Sequence, residues 1–256
     1  MAANPPLVSV LMTNYNNGCY ILPAVNSVAA QTYPNIELIV IDDGSKDNSP
    51  SVIERLARIH DGRFVDFKTH FSSDNLGINA QLNKGIKYVK GPITMIFDSD
   101  DALSSRYVSK SVDVLMNQKE RNPSIAGVYP NPILIDENGR IIRLGYSRTF
   151  DAGLLLGWYE GKEPMSYIPG CGPILTEALK DAFPLNPDIK KHTKYERWAR
   201  VVMMGHDMFH IDEHLFFYRM TDNNVSGIGK KVGEAHKSGR LQDVDMLRVE
   251  NYWGST

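Results

Sequence analysis

The chain has 256 residues, with 28 Lys and Arg against 30 Asp and Glu, a net charge of -2, 42% hydrophobic residues and 23% charged ones. That balance sets aside a polyanion-binding surface, and with it nucleic acid as a partner, while the apolar content excludes extended disorder. Cys19 and Cys171 are too few for a disulfide framework or a Cys-rich zinc site. No apolar run approaches the roughly 18 residues of a membrane span, and residues 1–6 lack a basic segment followed by an apolar one. The chain reads as cytoplasmic, with peripheral association at the inner face of a membrane left open.

Residues 7–13 (LVSVLMT) predict a first strand, followed by an Asn-rich turn at 14–18 and a helix carrying Ile21, Val25, Val28 and Ala29 at helical spacing. Residues 36–41 (IELIVI) predict a second strand, ending in Asp42-Asp43-Gly44-Ser45. A helix with Val52, Ile53, Leu56 and Ile59 follows, started by Ser49 before Pro50 or by Ser51 with Glu54. A short third strand is expected at 64–68, then a helix with Ile78, Leu82, Ile86 and Val89 on one face, stopped at Gly91-Pro92. Residues 93–97 (ITMIF) predict a buried strand ending at Asp98-Ser99-Asp100-Asp101. This alternation indicates βαβ units and a mainly parallel sheet flanked by helices.

A helix from Ser104 carries Val108, Val112, Leu115 and Met116, after which Pro and Gly punctuate the sequence. Strands are expected at 128–136, 140–144 and 167–175, helices at 176–183 and 193–204, and a strand at 214–219. Residues 227–256, with five basic and four acidic residues, predict a surface helix or a loosely held tail.

Ligands of open α/β sheets sit at the carboxyl ends of the strands, which singles out the polar clusters at 13–17, 42–47 and 98–101. None is a P-loop and no G-x-G-x-x-G follows the first strand, so the ATP and dinucleotide fingerprints are missing. Asp98 and Asp100 flank one residue just past a strand, and a period of two points both carboxylates the same way. Mg²⁺ or Mn²⁺, completed by phosphate oxygens, would relieve their repulsion; equally, the acids could cap the helix that follows. The same turn-and-cap alternative applies to Asp42 and Asp43.

Taken together, Val8-Ser9-Val10 through Thr13-Asn14-Tyr15-Asn16, residues 27–31 with Tyr33-Pro34, residues 37–45 with Asp47, Asn75-Leu76-Gly77, Asn83-Lys84-Gly85 and Asp98-Ser99-Asp100-Asp101 resemble the inverting glycosyltransferases of family 2. Tyr195-Glu196-Arg197-Trp198-Ala199-Arg200, Tyr218-Arg219 and Asn223-Asn224-Val225-Ser226 extend the likeness into the second half. The resemblance implies a GT-A fold, a Rossmann-like nucleotide-diphospho-sugar transferase architecture. Residues 1–101 would form its nucleotide-sugar-binding half and 102–226 its acceptor-binding half. It implies sugar transfer from a nucleotide-sugar, most often a UDP-sugar, to a glycan, lipid-linked or protein acceptor, with Mn²⁺ or Mg²⁺. Thr13, Tyr15, Asn16, Asp42, Asp43, Asn75, Lys84, Asp98 and Ser99 would face the donor, and Asp100 with Asp98 the metal. Asn75 could equally be only a helix cap.

The chain departs from that pattern at one place. The family base is usually an Asp in a Glu-Asp pair ahead of a Trp-containing helix, where this chain has Thr193 and Lys194; Thr221 stands where a His is often found. Three alternatives follow. The base could be His192, Glu196 or Asp188, although Glu196 lies about 200° around a helix from Lys194, so both cannot face the donor. Lys194 could act electrostatically, standing in part for a metal or binding an anionic acceptor, or could simply be solvated. Or the protein could bind a nucleotide-sugar with residual or no catalysis. The loop 167–173 (YIPGCGP), with Gly170, Cys171 and Gly172, is suited to an acceptor rim, and Trp158 to stacking on a sugar ring, unless it is core. A sugar nucleotidyltransferase is disfavoured because residues 14–18 contain no basic side chain.

Overall fold

The computed structural model describes residues 4–156, 169–190 and 193–221. The first half is a run of helical crossovers between parallel strands. Strand β1 (Val8–Asn14) leads through helix α1 (Ile21–Ala29) to β2 (Ile36–Asp42), then through α2 (Ser49–Ile59) to β3 (Asp66–Phe71). Helix α3 (Ile78–Gly85) and a 3₁₀ turn (Ile86–Tyr88) return the chain to β4 (Ile93–Asp98). Beyond it come β5 (Ala102–Leu103), α4 (Tyr107–Arg121), β6 (Ile125–Ile135), β7 (Ile141–Leu144) and α5 (Ala152–Leu156). The described chain closes with β8 (Ile174–Leu175), α6 (Thr176–Asp181), α7 (Thr193–Met203) and β9 (Asp207–Arg219).

Nine strands among the described residues form one sheet in the order β3-β2-β1-β4-β8-β6-β9-β5, with β7 on β6. Strands β1 to β4 are mutually parallel because each pair is joined by a helical crossover. Strands β1, β2 and β4 are buried on both faces, which explains their unbroken apolar runs, whereas β3, at the sheet edge, is only partly buried. One face, with Val10, Leu38 and Met95, packs under α1, α2 and α4; the other, with Leu11, Ile39 and Ile96, packs under α3, α6 and α7. The register sets Asn14 beside Asp42 and Thr13 beside Asp98, so the polar tips of β1, β2 and β4 end at one level.

The expected elements shift where local packing outweighs pattern. The third strand begins at Asp66 because Phe64 turns into the core and meets Phe67 edge-on, with ring centroids 5.5 Å apart. The α3 helix tightens after Gly85, where a Cβ would collide with Leu11 and Ile41. Of the strand expected at 167–175, the part described before Ile174 is loop. Strand β9 starts seven residues before the expected 214, and β6 carries Pro130 and Pro132. Neither proline can donate to a ladder, and the β6–β9 register slips at both sides of Asn131, which hid the periodicity of β9. Residues 227–256, with their expected helix or tail, lie outside the described residues, as does Trp158.

Away from the tips, one buried acid ties the bottom of the sheet together. Glu37 is fully enclosed, and its Oε1 accepts from Ser9 Oγ and from the Lys90 backbone N–H at 2.7 Å. Ser9 Oγ accepts in turn from Gly91 N at 2.8 Å. Glu37→Ala would leave these donors buried without partners, and is expected to cost on the order of 2–4 kcal/mol, read as a lower urea midpoint at unchanged m.

Candidate functional site

The β1 and β2 tips are stitched to each other. Asn14 Nδ2 donates to Asp42 Oδ2 at 2.7 Å; Ser45 donates to the same carboxylate from Oγ at 2.6 Å and from its backbone N–H at 2.8 Å. Asn16, at φ 51, accepts through Oδ1 from the Lys46 N–H, so a left-handed turn keeps the neighbouring Tyr15 ring at the surface. Asp43 accepts from the backbone N–H groups of Leu76 and Gly77, each at 2.8 Å, and from the Gln81 side chain. That is a cap on the first turn of α3 supplied from another strand, favourable for an anion at a helix N-terminus. Gly44, at φ +71, passes so close to the Asp74 backbone that a Cβ would lie 2.7 Å from its carbonyl carbon. Both oxygens of each acid are thus engaged inside the protein, and only their remaining lone pairs can address a ligand.

At the β4 tip the acids are used differently. Thr13 Oγ1 donates to Asp98 Oδ1 at 3.3 Å, and Asn17 Nδ2 to Ser99 Oγ at 3.1 Å. Asp101 is buried, and its carboxylate accepts the Arg219 N–H at 2.8 Å. The short pairing of β5 with β9 brings this about, setting Ala102 opposite Phe217. The Arg219 guanidinium then donates to the carbonyls of Asp100 at 2.7 Å, Asp136 at 3.0 Å and Glu137 at 3.1 Å, and lies over the Tyr20 ring at 4.7 Å. Among the described residues no side chain donates to the Asp100 carboxylate. Burial, and then the neighbouring Asp98 charge, push the Asp100 carboxyl up to about 7, and push Asp101 well above the carboxylate range together with Asp100 itself.

Two cations from α7 close over this turn. A Cβ on Gly170 would stand 3.8 Å from both Asp98 Oδ2 and an Arg197 terminal nitrogen and 4.0 Å from Lys194 Cδ, so the four residues meet at one point. Arg197 is buried, donates to Gly170 O at 2.7 Å and packs on Trp198, with its Nε lacking a partner. Burial lowers its pKa to about 10 against the opposing pull of Asp98. Lys194 Nζ is 5.5 Å from the centre of the Tyr218 ring. Burial draws its ammonium below the usual lysine value, with Asp98 and Asp101 opposing.

The remaining candidates disperse. Glu196 turns away from the acidic turn: its buried carboxylate accepts from Asn79 Nδ2 and the Asn186 N–H, both at 2.8 Å, and pairs with Arg200 at 3.0 Å. It ties α7 to α3 rather than facing the cluster. Asp188 is exposed on the turn before α7, and His192 lies outside the described residues. Asn75 Oδ1 accepts the Gly77 N–H at 3.1 Å, an Asx turn at the α3 start. Lys84 reaches Ser72 Oγ at 3.3 Å and lines a cavity of about 380 Å³ with His70, Gln81 and Tyr88; the cavity flanks the Asp43 cap, and none of Asp98, Asp100 and Asp101 lines it. Cys171 is buried under the Tyr107 hydroxyl, and burial pushes its thiol up, which suits a packing residue. Gly172 fits against the β6 backbone, where a Cβ would be 2.5 Å from Val128 O.

Three members were not singled out from sequence: Asp101, Arg197 and Arg219. Asp101 stands in the acidic motif as a third, redundant carboxylate, and nothing in strand or helix periodicity tells that β5 will hand it to Arg219. Arg197 is one of several basic residues along α7, and its spacing alone does not mark it as buried. The aromatic neighbours Trp198 and Tyr218 were the available signal, since a cation flanked by core aromatics in sequence is often drawn inward by them.

The family model for glycosyl transferase family 2 matches residues 9–171, more than half of the chain, including β2 to β4 and all but the first residue of β1. An uncharacterized glycosyltransferase of Nostoc is 32% identical over 241 residues, covering 90% of this chain and 70% of the relative. Rickettsial relatives of the same description are 34% to 37% identical over 137 or 138 residues, and the chain spans only about a fifth of their length. Among solved structures, residues 1-349 of S. aureus TarS in complex with UDP superpose with a TM-score of 0.61 at 17% identity, over 84% of this chain and 61% of that chain. The mannosyltransferase PcManGT of Pyrobaculum calidifontis, in complex with GDP-Man and Mn²⁺, gives 0.63 at 18%, over 96% and 67%. Both superpositions place the chain in the GT-A fold. The chain therefore belongs to glycosyl transferase family 2.

Proposed function

We propose that the chain transfers a sugar from a nucleoside-diphosphate sugar to a glycan, lipid-linked or protein acceptor, with inversion. The observation that carries this reading is the β4 tip, where Asp98 and Asp100 crowd one space and Asp100 has no side-chain donor among the described residues. Such a pair fits a hard divalent ion of the Mn²⁺ or Mg²⁺ type, which takes one or two carboxylates and fills its shell with phosphate and water. Among the described residues no group of three or more His, Cys, Asp and Glu side chains converges, so phosphate oxygens would have to complete the shell. When bound, the ion would neutralise charge developing on the leaving diphosphate.

The chain's own residues supply the rest. Tyr15, held at the surface by the Asn16 turn, offers its ring to the nucleobase. Asp42 and Asp43 hold the two loops that flank it, and Thr13 orients Asp98. The acceptor oxygen forms its bond on the face opposite the departing diphosphate and gives its proton to a base. Gly170, lacking a side chain, leaves room beside Asp98 for the sugar. UDP and GDP complexes of the fold's neighbours support a nucleotide donor, with UDP the first to try. Residues 1–101 would bind it and 102–226 the acceptor.

Calorimetric titration with UDP- and GDP-sugars, followed by transfer assays with glycan and lipid-linked acceptors, tests the proposal. Tyr15→Ala is expected to weaken donor binding by about 1 to 3 kcal/mol, roughly 5- to 150-fold, through lost stacking. For the base, His192→Ala and Asp188→Asn are compared; the true base loses about 10² to 10⁴ in turnover with donor affinity intact. The Lys at position 194 favours a second reading, a nucleotide-sugar-binding protein without turnover. Donor binding with neither transfer nor hydrolysis would establish it.

A further inference from the structure

Acids and cations of the chain itself meet at the β4 tip. Three acids, Asp98, Asp100 and Asp101, share it with three cations, Lys194, Arg197 and Arg219. Two of these cations are committed. Arg219 donates to three carbonyls and covers Tyr20, and Arg197 is buried with a terminal nitrogen on Gly170 O. Lys194 differs. It is only half-buried, and its ammonium donates no hydrogen bond to a described residue, although it lies over the Tyr218 ring and in the field of Asp98 and Asp101. An ammonium carries three donors, and the side chain that bears this one passes the gap at Gly170, its Cδ 4.0 Å from where a Cβ would stand, with none of the three used on a described residue.

We propose that Lys194 is a built-in counter-cation for the donor's diphosphate, so that this chain binds a nucleoside diphosphate without a divalent ion. The inference rests on the nucleotide-donor reading above and departs from it on one point: a divalent ion at Asp98 and Asp100 is dispensable for nucleotide binding and is left a role only in turnover. A cation fixed beside Asp98 and Asp101 lowers the negative potential that would draw a divalent ion into the turn, and offers the same charge to a phosphate oxygen instead. A carboxylate at position 194 would act in the opposite sense, deepening the potential for a metal and repelling the diphosphate.

The test is calorimetric titration of UDP and GDP into the full chain, in EDTA and again in Mn²⁺, for wild type, Lys194→Ala and Lys194→Arg. Electron paramagnetic resonance of free Mn²⁺ reports metal binding directly. Wild type is expected to bind in EDTA within about tenfold of its affinity in Mn²⁺. Lys194→Ala loses at least about tenfold in EDTA and less in Mn²⁺, Lys194→Arg keeps binding in EDTA, and Mn²⁺ alone binds more tightly to Lys194→Ala than to wild type. Should Lys194→Ala not fold, Lys194→Met, of similar length, carries the same comparison. Binding of UDP or GDP by wild type only in Mn²⁺, or an EDTA affinity indifferent to Lys194→Ala, overturns the counter-cation and leaves the donor reading standing. No binding of either nucleotide by folded wild type in either medium overturns both.

Discussion

Asp100→Asn is expected to lower sugar transfer by about 10² to 10³-fold and, in EDTA, to raise thermal stability at pH 8. The two effects have one cause. The Asp100 carboxyl sits beside Asp98 with its pKa pushed up to about 7 from 3.8, first by burial and then by that neighbour's charge. Between those two pH values the unfolded chain has released the proton and the folded chain still holds it. Stability contributed at acid pH is therefore lost as pH rises through that window. Asn does not titrate, so the variant's advantage should grow from pH 5 to pH 8. On the order of 1 kcal/mol would shift Tm by roughly 2–4 °C in a chain of this size. Melting curves at the two pH values, in EDTA, check the stability half, and initial rates with saturating donor check the other. A stability gap that stays flat with pH would mean that Asp100 is neither crowded nor desolvated, and the case for a cation at the β4 tip would go with it.

Glu196→Ala is expected to be the most damaging single change to the fold outside the sheet. Its carboxylate is 1% exposed, accepts two hydrogen bonds at 2.8 Å and pairs with Arg200, so truncation strands a buried amide, a backbone N–H and a guanidinium together. Breaking a buried pair from one side costs about 3–5 kcal/mol, here roughly 6–20 °C of Tm. Glu196→Gln keeps the volume and one acceptor and should fall between the two. The same variants decide a chemical question. If Glu196 only ties α7 to Asn79 and Asn186, the Gln variant, measured below its melting range, turns over within a few-fold of wild type. A selective loss of 10² or more in kcat, with donor affinity unchanged, would return Glu196 to the role of base.

Much of this was legible in the residues because it depends on local rules. The runs at β1, β2 and β4 are long, apolar and bounded by Asn, Asp and Gly turns, so both the strands and the level of their tips followed from short-range pattern. Helix α7 was readable for the same reason, including the separation of Lys194 from Glu196, since a two-residue step around a helix admits no other geometry. Strand β9 was seen only in part. Its pairing with the proline-bearing β6 slips on both sides of Asn131, and a slipped register erases the alternation by which a strand is recognised.

What the amino-acid sequence determined by itself was the parallel half of the sheet and the identity of the acids at its ends, because hydrophobic periodicity and turn chemistry act over a few residues. What only the tertiary structure decided was which of those acids remain open. Asp42 and Asp43 are taken by Asn14, Ser45 and the α3 turn; Asp101 is taken by Arg219; Asp98 faces Lys194, and Asp100 has no side-chain donor among the described residues. Each of those partners lies 28 to 118 residues away in the chain, or is set by a three-residue turn that only the folded tip holds in place. Charge at a site is a sum over neighbours in space, and spacing along the chain carries almost none of that information.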